Sequence, residues 1–218
     1  MRKLILQMQM QMQMQMQMQM QMQMQMQMQM QMSVDGYVSP ANGNLDWQVW
    51  GWGDRWAWDD RLKAYFNTVF EGVDTILLSR KIVEEGYLDH WGRAAKNYPA
   101  NPQFAFAQKV VDAQKVVLTD KLKASRWERT VIAHRGLVEE VNALKREEGK
   151  DILVIGGVGF ASSLVTEGLV DEFQFFVNPT AVGGGRSVFH DQRKGHKLRL
   201  LGSTGYECGV VVNRYTPQ

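Results

Sequence analysis

Apolar residues fall into two rhythms along this chain. Short unbroken runs occur at Asp74–Leu78, Lys115–Thr119, Asp151–Ile155 and Phe173–Val177. Runs of this length, rich in branched and aromatic residues, read as strands buried on both faces. Lys3–Leu6 and Thr130–Ala133 are shorter candidates. Between the runs the spacing becomes helical. Leu62, Tyr65, Phe66, Val69 and Phe70 share a face after Asp59 and Asp60, and Gly72 closes that helix. A short helix runs up to Gly86, and another covers Phe104 to Val111. Apolar residues at 137, 138, 141 and 144 predict a helix over 137–148, capped by Gly149. Ala161, Leu164 and Val165 predict one more, ended by Gly168. Asp35 to Asn44 and Trp91 to Pro102 read as loops. Lys197–Leu201 and Tyr206–Tyr215 read as a terminal antiparallel pair. Helices alternating with strands, then consecutive strands, predict an α/β sheet with an antiparallel edge.

One stretch obeys neither rhythm. Gln7 to Met32 is a strict Gln-Met alternation that holds every Met except Met1. Alternation is a strand pattern, yet 26 residues fully extended would reach roughly 85 Å, several times an ordinary strand. A helix gains no apolar face from period two. With the repeats collapsed to one Gln-Met, Lys3–Met8 and Ser33–Gly36 read as one strand and loop. The tract at 7–32 is therefore expected to be an insertion or artefact without function, set in a single domain over 1–218.

Composition narrows the class. About 190 residues remain outside the tract, enough for one domain with a sizeable core. A net charge of +2, with Lys and Arg dispersed, gives no footprint for nucleic acid. No run of 18 apolar residues exists, so no membrane span is expected. The single Cys208 excludes an intrachain disulfide and a thiolate cluster, and the four His lack metal-ligand spacing. A cytoplasmic protein is the expectation.

The candidate chemistry begins at Ile155-Gly156-Gly157-Val158-Gly159-Phe160. A buried strand ends on two glycines and a helix follows. Glycines let the backbone approach a ligand, and a helix start offers free N–H groups to an anion. The same residues also suit a tight turn with no ligand. Asp35 is a candidate for substrate contact or an ordinary Asp-Gly turn. Asp59 and Asp60 are candidates for catalysis or for capping a helix. Five Trp between Trp47 and Trp58 suit a substrate lid or packing.

Taken in order, these motifs resemble a known family. They are Ser33-Val34-Asp35-Gly36-Tyr37, Asp46-Trp47, Leu77–Lys81, Lys115–Thr119, Ile155-Gly156-Gly157, Gly168–Glu172, Pro179, and Gly183-Gly184-Gly185 with Phe189. The order resembles the dihydrofolate reductase-like family, in the branch of the RibD C-terminal reductase domain. The resemblance implies a three-layer α-β-α fold with a mostly parallel central sheet and antiparallel C-terminal strands. It implies NADPH as hydride donor, a small heterocyclic substrate and a homodimer. Val38 and Ser39 would lie near the nicotinamide, and Arg80 and Lys81 near a cofactor phosphate. Thr119 would sit near the adenosine phosphate. Gly156, Gly157, Val158, Gly159 and Phe160 would line the pyrophosphate, with the Gly156–Gly157 bond often cis in such proteins. Trp47 and Phe66 would border the substrate, and Asp35, Asp59 and Asp60 are the acids nearest to it.

Two departures qualify this. Ile82 stands where the family usually has a threonine hydroxyl for a phosphate. Leu62 stands where dihydrofolate reductase places its first-helix carboxylate, which argues against folate. The expected function is an NADPH-dependent reductase of a pterin- or ribosylaminopyrimidine-like substrate. The alternative is a non-catalytic nucleotide-binding or dimeric scaffold protein that kept the fold.

Overall fold

The computed structural model describes residues 24–43, 46–49, 57–192 and 194–218. Every apolar run inside those residues becomes a strand. In chain order, β1 (Met26–Ser33) and the two-residue β2 (Ser39–Pro40) come first, then α1 (Asp60–Glu71) and β3 (Val73–Ser79). Next are α2 (Arg80–Glu84), α3 (Tyr87–Asn97), a 3₁₀ turn over Pro102–Phe104, and α4 (Ala105–Asp112). β4 (Gln114–Leu118), β5 (Thr130–Ala133) and α5 (Leu137–Leu144) follow. β6 (Asp151–Ile155), α6 (Val158–Thr166) and β7 (Glu172–Asn178) complete the parallel part. The short β8 (Gly185–Arg186) pairs with β2, and β9 (Leu198–Gly205) and β10 (Val211–Pro217) end the chain.

The main sheet has the order β5-β4-β3-β6-β1-β7-β10-β9. Its first six strands run parallel, and β10 is antiparallel to both β7 and β9. Helices cover both faces. Side chains from α1 to α4 form one core with Ile76, Leu78, Val117, Leu153 and Phe176. Val141, Leu144, Ala161, Leu164 and Val165 of α5 and α6 form the other, with Leu77, Ile152 and Val154. Successive residues of one strand thus feed opposite cores, as its alternation of Cβ directions requires. This is the three-layer α/β arrangement with an antiparallel C-terminal edge.

Three expectations need correction. First, the strand leading into Ser33 is made by the Gln-Met tract itself, while Lys3–Leu6 lies outside the described residues. Met26, Met28 and Met30 are buried in the second core, and β1 lies between β6 and β7. Eight residues are an ordinary strand length. Residues 26–32 therefore belong to the domain, and the tract is not wholly an interruption. Second, Trp91 to Pro102 is mostly helix. Tyr87, Leu88, Trp91, Ala94 and Ala95 recur on one buried face, so α3 runs to Asn97. Third, α5 stops at Leu144 and Gly149 does not cap it. Gly149 instead makes room for Asp74: an added Cβ would lie 2.7 Å from Asp74 Oδ2. That oxygen accepts from Lys150 N at 2.8 Å.

Candidate functional site

The topology sets the carboxyl end of β6 apart, with a switch point on each side of it, toward β3 and toward β1. The helices after β1 and β3 pack on one face of the sheet, and those after β5 and β6 on the other. β3 and β6 are neighbours, so their chains leave the sheet in opposite directions. In open α/β sheets a crevice opens between strands at such a point, beyond their carboxyl ends, and ligands bind there. The residues at this point are Ser79-Arg80 and Gly156-Gly157.

Gly156 is needed for the two strand ends to meet. A Cβ added there would lie 3.1 Å from both Cβ and Oγ of Ser79 and 2.8 Å from Cδ1 of Phe160. Gly157 and Gly159 face open space, with nothing within 4 Å of an added Cβ. Gly157 is the N-cap of α6, and no side chain caps that end. The described peptide bonds are all trans, Gly156–Gly157 included, against the cis bond implied by the resemblance. Uncapped backbone N–H groups beside open space suit an anion.

Positive charge stands on the β3 side. Arg80 opens α2 and pairs with Glu84 one turn on, its side chain about one-third exposed. Lys81 is exposed and pairs with Glu85 at 3.6 Å. Ser79 Oγ accepts from Ile82 N at 3.4 Å, and the Ile82 side chain packs against the first core. The hydroxyl missing at position 82 is thus replaced by apolar packing. Thr119 follows β4, the other neighbour of β3, and its Oγ1 accepts from Lys121 N at 3.0 Å. Arg80, Thr119 and the glycine turn therefore line three adjacent strand ends. These residues fit a dinucleotide: backbone donors and space for a pyrophosphate, with a guanidinium at its edge.

The far side of the site begins at Ser33. Its hydroxyl donates to Asp35 Oδ1 at 2.6 Å and accepts from Tyr37 N at 2.9 Å. Asp35 also accepts from Val182 N and, at 2.8 Å, from Gly183 N. The Ser33 hydroxyl, with those N–H groups, holds its carboxyl below the usual range. Val38 N donates to Arg186 O at 2.9 Å, and Ser39 pairs with Arg186. Gly185 permits that pairing, because an added Cβ would strike Ser39 O at 2.2 Å. The segment 33–39 is thus laced to the turn at 182–186.

Other expected residues sit elsewhere. Phe66 is 2% exposed and packed among the rings of Trp58, Phe70, Phe106 and Phe176. It is a core residue. Asp59 caps α1: it accepts from Leu62 N and from Cys208 N, each at 3.0 Å. Burial pushes its carboxyl up, but those N–H groups more than offset this, leaving it below the ordinary range. Asp60 is exposed beside Gln103 and Lys63. Trp47 is buried, two residues before Val49, whose N–H donates to Asn178 Oδ1 at 2.8 Å. Trp50, Trp52 and Trp56 lie outside the described residues.

Sequence reasoning missed Asn178, which reads only as a strand end before Pro179. It is fully buried, and its Nδ2 donates to Gln31 Oε1 at 2.9 Å and to Phe176 O at 3.1 Å. It joins β1, β7 and the segment after Trp47. A buried polar row beneath α1 was missed too. Arg214 donates twice to Glu172, at 2.8 and 3.0 Å, and Gln174 bonds Glu172, Gln27 and the Tyr65 hydroxyl. The signal was a Glu and a Gln inside an otherwise apolar strand.

Comparison with known proteins agrees with this architecture. The uncharacterized protein YyaP of Bacillus subtilis (strain 168) is 27% identical over 180 residues, covering 82% of this chain and 87% of that one. A crystal structure from Thermotoga maritima, of a diaminohydroxyphosphoribosylaminopyrimidine deaminase/5-amino-6-(5-phosphoribosylamino)uracil reductase, superposes with a TM-score of 0.61. It is 13% identical, and the match covers 90% of this chain and 57% of that one. Dihydrofolate reductase from Enterococcus faecalis complexed with NADP(H) superposes at 0.52, with 12% identity over 89% of this chain and 96% of that one. Both structures share the fold. The RibD C-terminal domain family matches residues 25–212, from the end of the Gln-Met tract to β10, and the chain belongs to that family.

Proposed function

We propose that the chain is an NADPH-dependent reductase of a small heterocyclic substrate, pterin- or ribosylaminopyrimidine-like. One observation carries the reading: at the ends of β3 and β6 the uncapped glycine turn, open at Gly157 and Gly159, meets Ser79, the residue before Arg80. The dinucleotide would lie with its pyrophosphate on Gly156–Phe160, a phosphate at Arg80 and Lys81, and its adenosine end at Thr119. NADPH supplies the hydride when bound; the chain's own residues bind, orient and exclude water. Val38 and Ser39, held against Arg186, set the wall on which the reacting ring would rest. Trp47 would border the substrate end, with Asn178 holding the segment that follows it. Asp35 accepts three hydrogen bonds that hold its carboxyl ionised, so its role is positioning. A cytoplasmic homodimer is the form in which we place this activity.

A second reading has its own support. Asp35, Asp59 and Asp60 are each engaged in local hydrogen bonds or ion pairs. A protein that binds the dinucleotide without turnover fits that arrangement. Calorimetric titration with NADPH, followed by a panel of pterins, ribosylaminopyrimidines and quinones, separates the two. Binding with turnover supports the reductase, binding without turnover supports the second reading, and no binding at high micromolar NADPH contradicts both. Arg80→Ala is expected to weaken NADPH about tenfold or more, from loss of one charge-assisted phosphate contact.

A further inference from the structure

We infer that the repeat within β1 sets its register only to within steps of two residues, and that Ser33 and Asp35 are the positioning residues that fix it. The argument starts from the repeat. Moving a strict Gln-Met strand by two residues puts Met in every Met position and Gln in every Gln position. Strand side chains alternate with the same period, so both faces of the sheet would be unchanged.

The bonds that hold β1 are of the kind any dipeptide can make. Met24, Met26, Met28 and Met30 fill the second core. Gln25 N and Met26 N donate to Asp151 and Asp171. The Gln27 amide bridges Asp151 and Gln174, and Gln31 accepts from Asn178. Every one of these partners would meet an equivalent atom after a two-residue step that draws earlier repeats into the sheet; a step the other way would put Ser33 in the place of Gln31, the acceptor of Asn178. Nothing in the strand interior selects a register.

The degeneracy ends where the repeat does. Ser33 occupies the next position on the Gln face and is fully buried. Its N–H and hydroxyl bond Tyr37 O and Asp35, Val34 N bonds Thr180 O, and Asp35 reaches Val182 and Gly183. These bonds clamp one end of the strand to the turn at 180–183. A two-residue step would carry that end about 6.6 Å along the sheet. Val38 and Ser39 lie five and six residues beyond Ser33 and would be drawn off Arg186. The clamp thus positions this segment, whatever ligand the crevice takes.

Methionine oxidation of the full-length chain by hydrogen peroxide, read residue by residue by mass spectrometry, tests the clamp. In the unaltered chain Met24, Met26, Met28 and Met30 oxidise slowly and Met32 faster. In Ser33→Ala/Asp35→Ala, Met30 is expected to oxidise about tenfold faster while Met26 stays protected, because the strand end samples other registers. A folded double variant with Met30 still protected overturns the clamp. Length variants test the two-residue period on which the inference rests, without touching the clamp. Removing one Gln-Met dipeptide gives the same sequence wherever it is removed. It should shift the melting temperature by less than about 2 °C and leave protected the four Met that hold the same places counted back from Ser33. Removing Gln31 alone changes the parity and should lower the melting temperature by about 5 °C or more. Equal losses from the two deletions would overturn the inference.

Discussion

Phe66 and Tyr65 are adjacent on α1 and differ in what surrounds them. Phe66 looks, in the sequence, like a residue bordering a flat substrate. In the fold it is enclosed by four other rings. Phe66→Ala is expected to cost about 3–5 kcal/mol in urea unfolding, as for a truncated core aromatic. A loss under about 1 kcal/mol joined to weaker substrate binding would return Phe66 to the site. Tyr65 donates to Gln174 beside the pair of buried Glu172 with half-exposed Arg214. Burial pushes its hydroxyl up to about 12 from an ordinary 10.0. The unfolded chain therefore loses this proton first as pH rises, so stability is complete below pH 10 and falls between 10 and 12. Tyr65→Phe should flatten that part of the pH–stability curve, and an unchanged alkaline slope would contradict the assignment. None of this was legible residue by residue, because burial of a ring or a Glu depends on what lies across the sheet. Glycines were more legible. Gly156 stands at a strand end before a helix, and that setting alone predicts a close backbone approach.

At the scale of elements, periodicity carried most of the assignment. Runs of branched or aromatic residues became β3, β4, β6 and β7, and the helical spacing after Asp59 became α1 with Asp59 as its N-cap. Pro99 and Pro102 hide α3 in the sequence, although Tyr87, Leu88, Trp91, Ala94 and Ala95 mark its buried stripe. β1 was lost because a repeat of 26 residues looks unlike a strand as a whole, though eight of them make a good one. Asp59 is where element and site readings compete. As a cap that also holds Cys208, it should lose about 1–2 kcal/mol of stability on change to Ala. Turnover per folded molecule should stay within about twofold of the original, since a residue that only caps contributes nothing to the barrier. A hundredfold fall in turnover with unchanged stability would make Asp59 catalytic.

For the molecule as a whole, strand order brings the candidate site residues together, and no local pattern contains it. Arg80, Thr119 and Gly156 are far apart in sequence and come from three neighbouring strand ends. Only the resemblance to a family joined them beforehand; the residues themselves allowed a plain turn equally well. The helices leaving β3 and β6 for opposite faces make the crevice, and the Gln-Met strand beside β6 carries the chain into its far wall. The central claim is that this crevice takes a dinucleotide. Amide hydrogen exchange of the intact chain, with and without saturating NADPH, tests it most directly. The account predicts slower exchange in 79–82, 119–121 and 156–160. Unchanged exchange there, or protection confined to α5 and the β5 edge, would contradict it.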